Sequence, residues 1–146
     1  MPGIIVGIDG SSHSRRALAW AISEAGMRQL PLTVLSVNQA ITGFWGGPAD
    51  SPGDVEFAEH ARKVAQEEAD TALEKLTPES RPPSVTVVGV TGIPAEEILI
   101  RGNDADMIVV GSRGAGGFKK LLLGSVSTQV AHHARCPVVV IPSDSD

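Results

Sequence analysis

Cysteine is nearly missing from this chain: Cys136 is the only one in 146 residues. A single thiol can form neither an internal disulfide nor a cysteine-based zinc site, so neither device can staple the fold. Positive charge is also in deficit, with 12 Lys and Arg against 17 Asp and Glu for a net charge of -5. That balance argues against a general nucleic-acid binder, whose electrostatic footprint would be basic. No apolar run approaches the ~20 residues that a membrane-spanning helix needs. The first residues, Met1-Pro2-Gly3-Ile4-Ile5, lack the basic start and apolar block of a secretory leader. The expectation is a cytoplasmic protein with neither a nucleic-acid nor a membrane partner. Residues 1–146 are expected to form one domain, large enough to bury a core unaided.

What is present is a repeated alternation of strand and helix patterns. Ile4-Ile5-Val6-Gly7-Ile8 is a β-rich run that stops at the turn signal Asp9-Gly10-Ser11-Ser12. From Ser14 to about Arg28 the spacing of Ala17, Leu18, Ala21, Ile22 and Ala25 predicts a helix with one buried face. Gly26 is expected to weaken its end, and Trp20 to join the packing. Leu32 to Val37 reads as a second strand. Asn38 to Gly53 has no apolar period and contains Gly43, Gly46, Gly47, Pro48 and Pro52, the composition of a long loop. Phe44 and Trp45 lie in it, two of only five aromatic residues in the chain.

Asp54 is the expected N-cap of a helix running to about Leu76, with Phe57, Ala61, Val64, Ala65, Ala72, Leu73 and Leu76 inward and Glu67 and Glu68 elsewhere. Ser84 to Val90 gives a third strand. Pro94 fits the first turn of a short helix, and Glu96 and Glu97 suit its positive end. Met107 to Val110 is apolar throughout, as a strand buried on both faces would be. A helix from Ser125 to Ala134, with Val126, Val130, Ala131 and Ala134 on one face, precedes a last strand at Pro137–Ile141 and an acidic tail at 143–146. Five apolar strands alternating with four helices predict an α/β fold: a doubly wound five-stranded parallel sheet with helices on both faces. In such folds a ligand sits beyond the carboxyl ends of the strands where the winding reverses. If the reversal lies between the first and fourth strands, Asp9 and Gly111 share one crevice.

After the fourth strand come four glycines, Gly111, Gly114, Gly116 and Gly117, then Gly124-Ser125-Val126-Ser127 at a helix start. Strand, glycine loop and helix start is an arrangement that cradles phosphate, because the first amides of a helix have no intrahelical partner and the peptide dipoles favour an anion there. Ser125 and Ser127 add hydroxyl donors. Two familiar phosphate loops are excluded by what is absent. No lysine precedes Ser125, as a Walker loop requires, and Lys119 stands where a dinucleotide fingerprint needs glycine. What remains is Gly111-x2-Gly114-x9-Gly124-Ser125, which on its own is equally a glycine-rich surface loop before a capped helix.

The ordered set of motifs resembles the universal stress protein family. Gly7-x-Asp9-Gly10-Ser11-x-x-Ser14-x-x-Ala17-Leu18 is similar to the family's opening, and Gly92-x-Pro94 and Ala105-Asp106 to its middle. Gly111-Ser112-Arg113-Gly114 and Leu123-Gly124-Ser125-Val126-Ser127 resemble the signature of the ATP-binding branch, and Arg135-Cys136-Pro137-Val138-Val139-Val140 the last strand. The resemblance implies a Rossmann-like, adenine nucleotide alpha hydrolase-like fold that binds ATP with Mg2+ or Mn2+. Carried over by position, it implies Asp9 for the adenosine part, the backbone of Val37 for adenine and Gly111 for ribose. Gly114, Gly124, Ser125 and Val126 would cradle the phosphates, with Arg113 and Ser127 beside them. It also implies a homodimer through the last strand, Val138 to Ile141, which would cover an otherwise bare apolar edge.

Each of these residues has a plainer explanation. Asp9 could fix an Asx-turn, Ser125 could be only an N-cap, and Arg113, Lys119 and Lys120 could be solvated surface. His132 and His133 fall in a last helical turn, where positive charge is welcome, and read as structural. His13 and His60 lack ligand-spaced partners, and Cys136 reads as a small packed residue. With one acid and no phosphate-loop lysine, a nucleotide-dependent stress-response regulator is favoured over an enzyme. The alternatives are a slow metal-dependent ATPase or nucleotide hydrolase using Asp9, a cyclic-AMP binder, flavodoxin-like FMN binding at Ser11, Ser12 and Ser14, or a nucleotide-free dimeric interaction module. A response-regulator receiver is disfavoured, because Asp9 stands alone and the third strand ends Val90-Thr91.

Overall fold

The computed structural model describes residues 3–9, 12–39, 52–112 and 125–142, at 12, 13, 39 and 52–55 for the backbone alone. The elements follow one another as β1 (Ile4–Ile8), α1 (Ser12–Arg28), β2 (Leu32–Gln39), α2 (Pro52–Glu74), a 3-10 turn (Pro78–Ser80), β3 (Val85–Gly92), α3 (Pro94–Arg101), β4 (Met107–Gly111), α4 (Ser125–His133) and β5 (Val138–Ile141). All strand pairs are parallel, in the order β3-β2-β1-β4-β5. This is the doubly wound five-stranded sheet that the alternating pattern predicts. None of the described helices is long and apolar enough to cross a membrane.

The winding explains the layering. The chain steps from β1 to β2 to β3 in one direction, and right-handed crossovers put α1 and α2 on the same face. It then returns to the other side of β1 for β4 and β5, which throws α3 and α4 onto the opposite face. Two cores result. Ile4, Val6, Ile8, Val34 and Val109 pack with α1 and Ala65 of α2, whereas Leu35, Ile108 and Val110 pack with Ile98 of α3 and Val130 of α4. Alternate residues of one strand serve opposite cores, so β1 and β4 are apolar at nearly every position.

In α1 the predicted face is the observed one: Ala17, Leu18, Ala21, Ile22 and Ala25 are all buried. Trp20 packs against this core as expected. Gly26, expected to weaken the helix end, lies two residues before that end, where another segment crosses closely. A Cβ there would stand 1.9 Å from the Ser80 carbonyl oxygen of the 3-10 turn. The helix ends at Arg28, as the pattern predicts, and Gln29 after it has a left-handed φ of 52°. The Leu30 amide returns to the Ala25 carbonyl at 3.0 Å and the Gln29 amide to Gly26 at 3.3 Å, the paired closure of a Schellman motif.

Several predicted boundaries shift. β2 runs on to Gln39 and β3 to Gly92, because Asn38 pairs with Thr91 and Gln39 with Gly92. Backbone pairing ignores the polar side chains that ended both strands in the sequence pattern. α2 begins at Pro52, so Asp54 is inside its first turn rather than capping it. Phe57, expected inward, is 64% exposed, while Ala58 and Ala69 are buried. The cause is close packing: a Cβ on Gly89 would come within 2.6 Å of the Ala58 carbonyl oxygen, so the face over β3 selects small residues. In α4, Ala131 is exposed and Ser127 takes the inward place. The 40–51 part of the predicted loop, with Phe44 and Trp45, the stretch 113–124 and the acidic tail lie outside the described residues.

Candidate functional site

The winding reverses between β1 and β4, which are neighbours paired Ile4 with Met107, Ile5 with Ile108 and Val6 with Val109. Carrying that register forward sets Ile8 opposite Gly111, with Asp9 and Ser112 next at the carboxyl edge of the sheet. Helices on opposite faces leave this point of the edge in opposite directions, and a crevice opens between them.

On the β1 side, Asp9 is exposed and its backbone amide donates to Ser14 Oγ at 3.3 Å. Ser14 is buried in the first part of α1, so its hydroxyl sets how the helix leaves the strand. On the β4 side, Ser112 joins three elements. Its amide donates to the Ile141 carbonyl of β5 at 2.8 Å, and its carbonyl accepts from the Ser127 hydroxyl of α4 at 3.3 Å. Arg16 of α1 reaches across the same edge, where Nη1 donates to the Pro142 carbonyl at 3.0 Å. The strand ends are therefore tied to one another as well as hydrogen-bonded within the sheet.

Of the residues singled out in the sequence, Asp9, Val37, Gly111, Ser125, Val126 and Ser127 fall along this edge or at the start of the helix that follows it. Val37 and Val126 are half-buried against the second core. Ser125 is the first residue of α4 and is exposed. Ser127 is buried and turns its hydroxyl inward, onto Ser112. Arg113, Gly114 and Gly124 lie outside the described residues.

The flank of the edge under α1 and α2 holds a feature the sequence pattern did not bring out. A cleft of about 200 Å³ is walled by Ile8, Ala61, Val64 and Ala65 and carries three polar side chains, Asp9, Ser36 and Glu68. Ser36 is buried opposite Ile8 in the β1–β2 ladder. Glu68 Oε1 pairs with Arg15 Nε at 3.5 Å, while Glu68 Oε2 is buried and has no hydrogen-bond partner among the described residues. The signal for Glu68 was its spacing, three after Ala65 and four before Ala72, which places it on the inward stripe of α2.

Remote groups behave plainly. His132 and His133 are exposed at the end of α4, their rings meeting edge to face with centroids 4.7 Å apart. Cys136 is half-buried; burial, then the charge of Asp106, pushes its thiol pKa up. Among the described residues no group of three or more His, Cys, Asp or Glu could hold a metal ion.

Comparison with known proteins agrees with this architecture. The sequence model of the universal stress protein family matches residues 2–142. Universal stress protein Rv2005c of Mycobacterium tuberculosis (strain H37Rv) is 36% identical over 143 residues, covering 97% of this chain and 48% of that protein. The chain thus spans about half the length of the curated relatives it matches. Among solved structures, a universal stress protein in complex with cAMP superimposes with a TM-score of 0.67 at 23% identity, covering 96% of this chain and 95% of that one. The universal stress protein from Archaeoglobus fulgidus in complex with dAMP gives 0.64 at 22%, with 95% and 96% covered. Those two likenesses show the fold; the match of the family model over residues 2–142 shows the family. This chain belongs to the universal stress protein family.

Proposed function

We propose that the chain binds an adenine nucleotide, ATP with Mg2+ or Mn2+, in the crevice between β1 and β4, and acts as a nucleotide-dependent regulator with at most slow hydrolysis. The observation that carries this is the meeting of Asp9, Gly111 and the start of α4 at the point where the winding reverses. The first amides of α4 have no partner within the helix and lie at its positive end, which suits a phosphate tail. In this assignment Asp9 holds the adenosine part, the Val37 backbone the base and Gly111 the ribose. Gly114, Gly124, Ser125 and Val126 cradle the phosphates, with Arg113 and Ser127 adjacent.

Two relatives of the same fold carry adenine nucleotides, one cAMP and one dAMP. A metal would be held mainly by the phosphate oxygens, since the described residues offer no cluster of ligands for it. There it would neutralise phosphate charge. Slow turnover is part of the proposal because the sequence offers one acid, Asp9, and no phosphate-loop lysine, whereas fast phosphoryl transfer needs a positioned nucleophile and cations to absorb transition-state charge. The half-buried valines of β5 sit on a sheet edge, so a homodimer joined through Val138 to Ile141 would cover them.

The test is calorimetry with ATP, cyclic AMP and dAMP on the wild type and on Gly114→Ala and Gly124→Val, alongside mass spectrometry of ligand retained through native purification. ATP binding in the wild type, lost in both folded variants, is the expected result. Equal affinity in all three proteins, or no nucleotide bound by any, overturns the proposal.

A further inference from the structure

Among its described residues, the buried face of α1 carries one polar side chain. Ala17, Leu18, Ala21, Ile22 and Ala25 pack into the core, and Ser14, at the same helical spacing and 4% exposed, begins that stripe. Alanine fills three of the other positions and is the better helix former, while a buried hydroxyl costs free energy unless it is hydrogen-bonded. A serine at this place is therefore explained by what it bonds. One of its partners is Asp9, whose backbone amide donates to Ser14 Oγ at 3.3 Å.

Asp9 gains from such a hold. The β1–β2 ladder ends where Ile8 pairs with Ser36, so Asp9 lies one residue beyond it. Ile8 is buried and Asp9 is exposed, so the packing that holds the one does not hold the side chain of the other. A bond to the Asp9 amide acts on the main chain, next to the Cα that carries the carboxylate. Because α1 packs on both β1 and β4, the same bond ties Asp9 to the frame that carries Gly111. A binding group that is in place before the ligand arrives spares the cost of ordering it on association.

We propose that Ser14 is a positioning residue for nucleotide binding: its hydroxyl anchors the Asp9 amide to α1 and so sets the place from which the Asp9 carboxylate meets the adenosine part. The assignment rests on the nucleotide-binding function proposed above and adds to it a buried residue of α1 that acts through Asp9.

The experiment is a double-mutant cycle on the full chain, with ATP binding read by calorimetry and folding by thermal melt. Its corners are the wild type, Ser14→Ala, Asp9→Asn and the pair together. Binding too weak for calorimetry is followed as the rise in melting temperature at millimolar ATP. Ser14→Ala is expected to weaken ATP binding about 3- to 10-fold, the worth of one neutral hydrogen bond. In the Asp9→Asn background the same change is expected to alter affinity by less than about two-fold, since the group it positions has lost its charge. Ser14→Cys keeps the size of serine but offers sulfur, a weak acceptor, so it takes the place of Ser14→Ala if that variant fails to fold. A serine that merely stabilises the helix lowers affinity by the same factor in both backgrounds, and that result overturns the assignment. So does a folded Ser14 variant that binds ATP as the wild type does. If Asp9→Asn binds like the wild type, Asp9 leaves the site and the assignment falls with it, while nucleotide binding stands. A wild type that binds no ATP overturns the underlying function instead, so the failures are distinguishable.

Discussion

Replacing Ser127 by alanine should lower the stability of the protein, whereas the same change at Ser125, two residues away, should not. Ser127 is 1% exposed and its hydroxyl donates to the Ser112 carbonyl at 3.3 Å; Ser125 is exposed. Through that bond the first turn of α4 is fastened to the end of β4, and Ser112 is in turn held to β5 through its amide. Losing the hydroxyl leaves a buried carbonyl short of a donor, a penalty of about 1–3 kcal/mol. A 3.3 Å separation is long for a hydroxyl donor, which places the expected loss in the lower part of that range, about 1–2 kcal/mol. For a chain of this size that corresponds to a fall in melting temperature of roughly 2–8 °C.

The assay is a thermal melt of both variants without nucleotide, followed by calorimetry with ATP. Ser127→Ala should melt early. Ser125→Ala should melt within about 2 °C of the wild type, as exposed substitutions do, and yet bind ATP more weakly. If Ser127→Ala melts with the wild type, the bond to Ser112 does not hold α4 in place. If it is Ser125→Ala that loses stability, the division of labour between the two serines is wrong.

Gly26→Ala opposes two effects of known sign: helix propensity gains about 1 kcal/mol, but the new Cβ would stand 1.9 Å from the Ser80 oxygen and displace the 3-10 turn, an overpacking cost of about 1–3 kcal/mol. Denaturant titration should find it less stable than the wild type, with Ser23→Ala on the exposed side of α1 as the control; a gain in stability would refute the close crossing. For Cys136, burial favours the neutral thiol, so its contribution to stability is whole below the ordinary pKa of 9.0 and is lost as pH rises through the higher folded value. Urea midpoints should fall at alkaline pH less steeply in Cys136→Ala than in the wild type. Asp9→Asn should weaken ATP binding about tenfold or more, as loss of a charged hydrogen-bond partner does, while its melt stays near that of the wild type because Asp9 is exposed.

How much of this architecture can be seen in the sequence depends on whether a segment's surroundings are uniform. β1 and β4 lie between two apolar layers, so every position reports the same thing and their limits are plain. α1 packs one face on the sheet and its period is clean. The ends of β2 and β3 escape because Asn38, Gln39, Thr91 and Gly92 are held by each other's backbones and carry no apolar signal. α2 misleads for a different reason: where it approaches Gly89 the buried positions go to alanine, and the bulkiest apolar residue nearby, Phe57, points to solvent. Hydrophobicity marks what could be buried; closeness of approach decides what is.

The candidate site divides along the same line. Asp9 and Gly111 are legible because they end strands, and strand ends of a doubly wound sheet converge wherever the winding reverses. Glu68 ends nothing, and its partner Arg15 lies on another helix, so no local pattern connects them. Its one visible mark is a charge at helical spacing among alanines. A carboxylate in that place must find a partner in the fold or in a ligand, since burying it alone costs several kcal/mol. Here Arg15 takes one oxygen, and the side chain lines a cleft on the same edge as Asp9. A charge out of place on an apolar stripe is thus the mark in the sequence of a tie between helices that no local period shows.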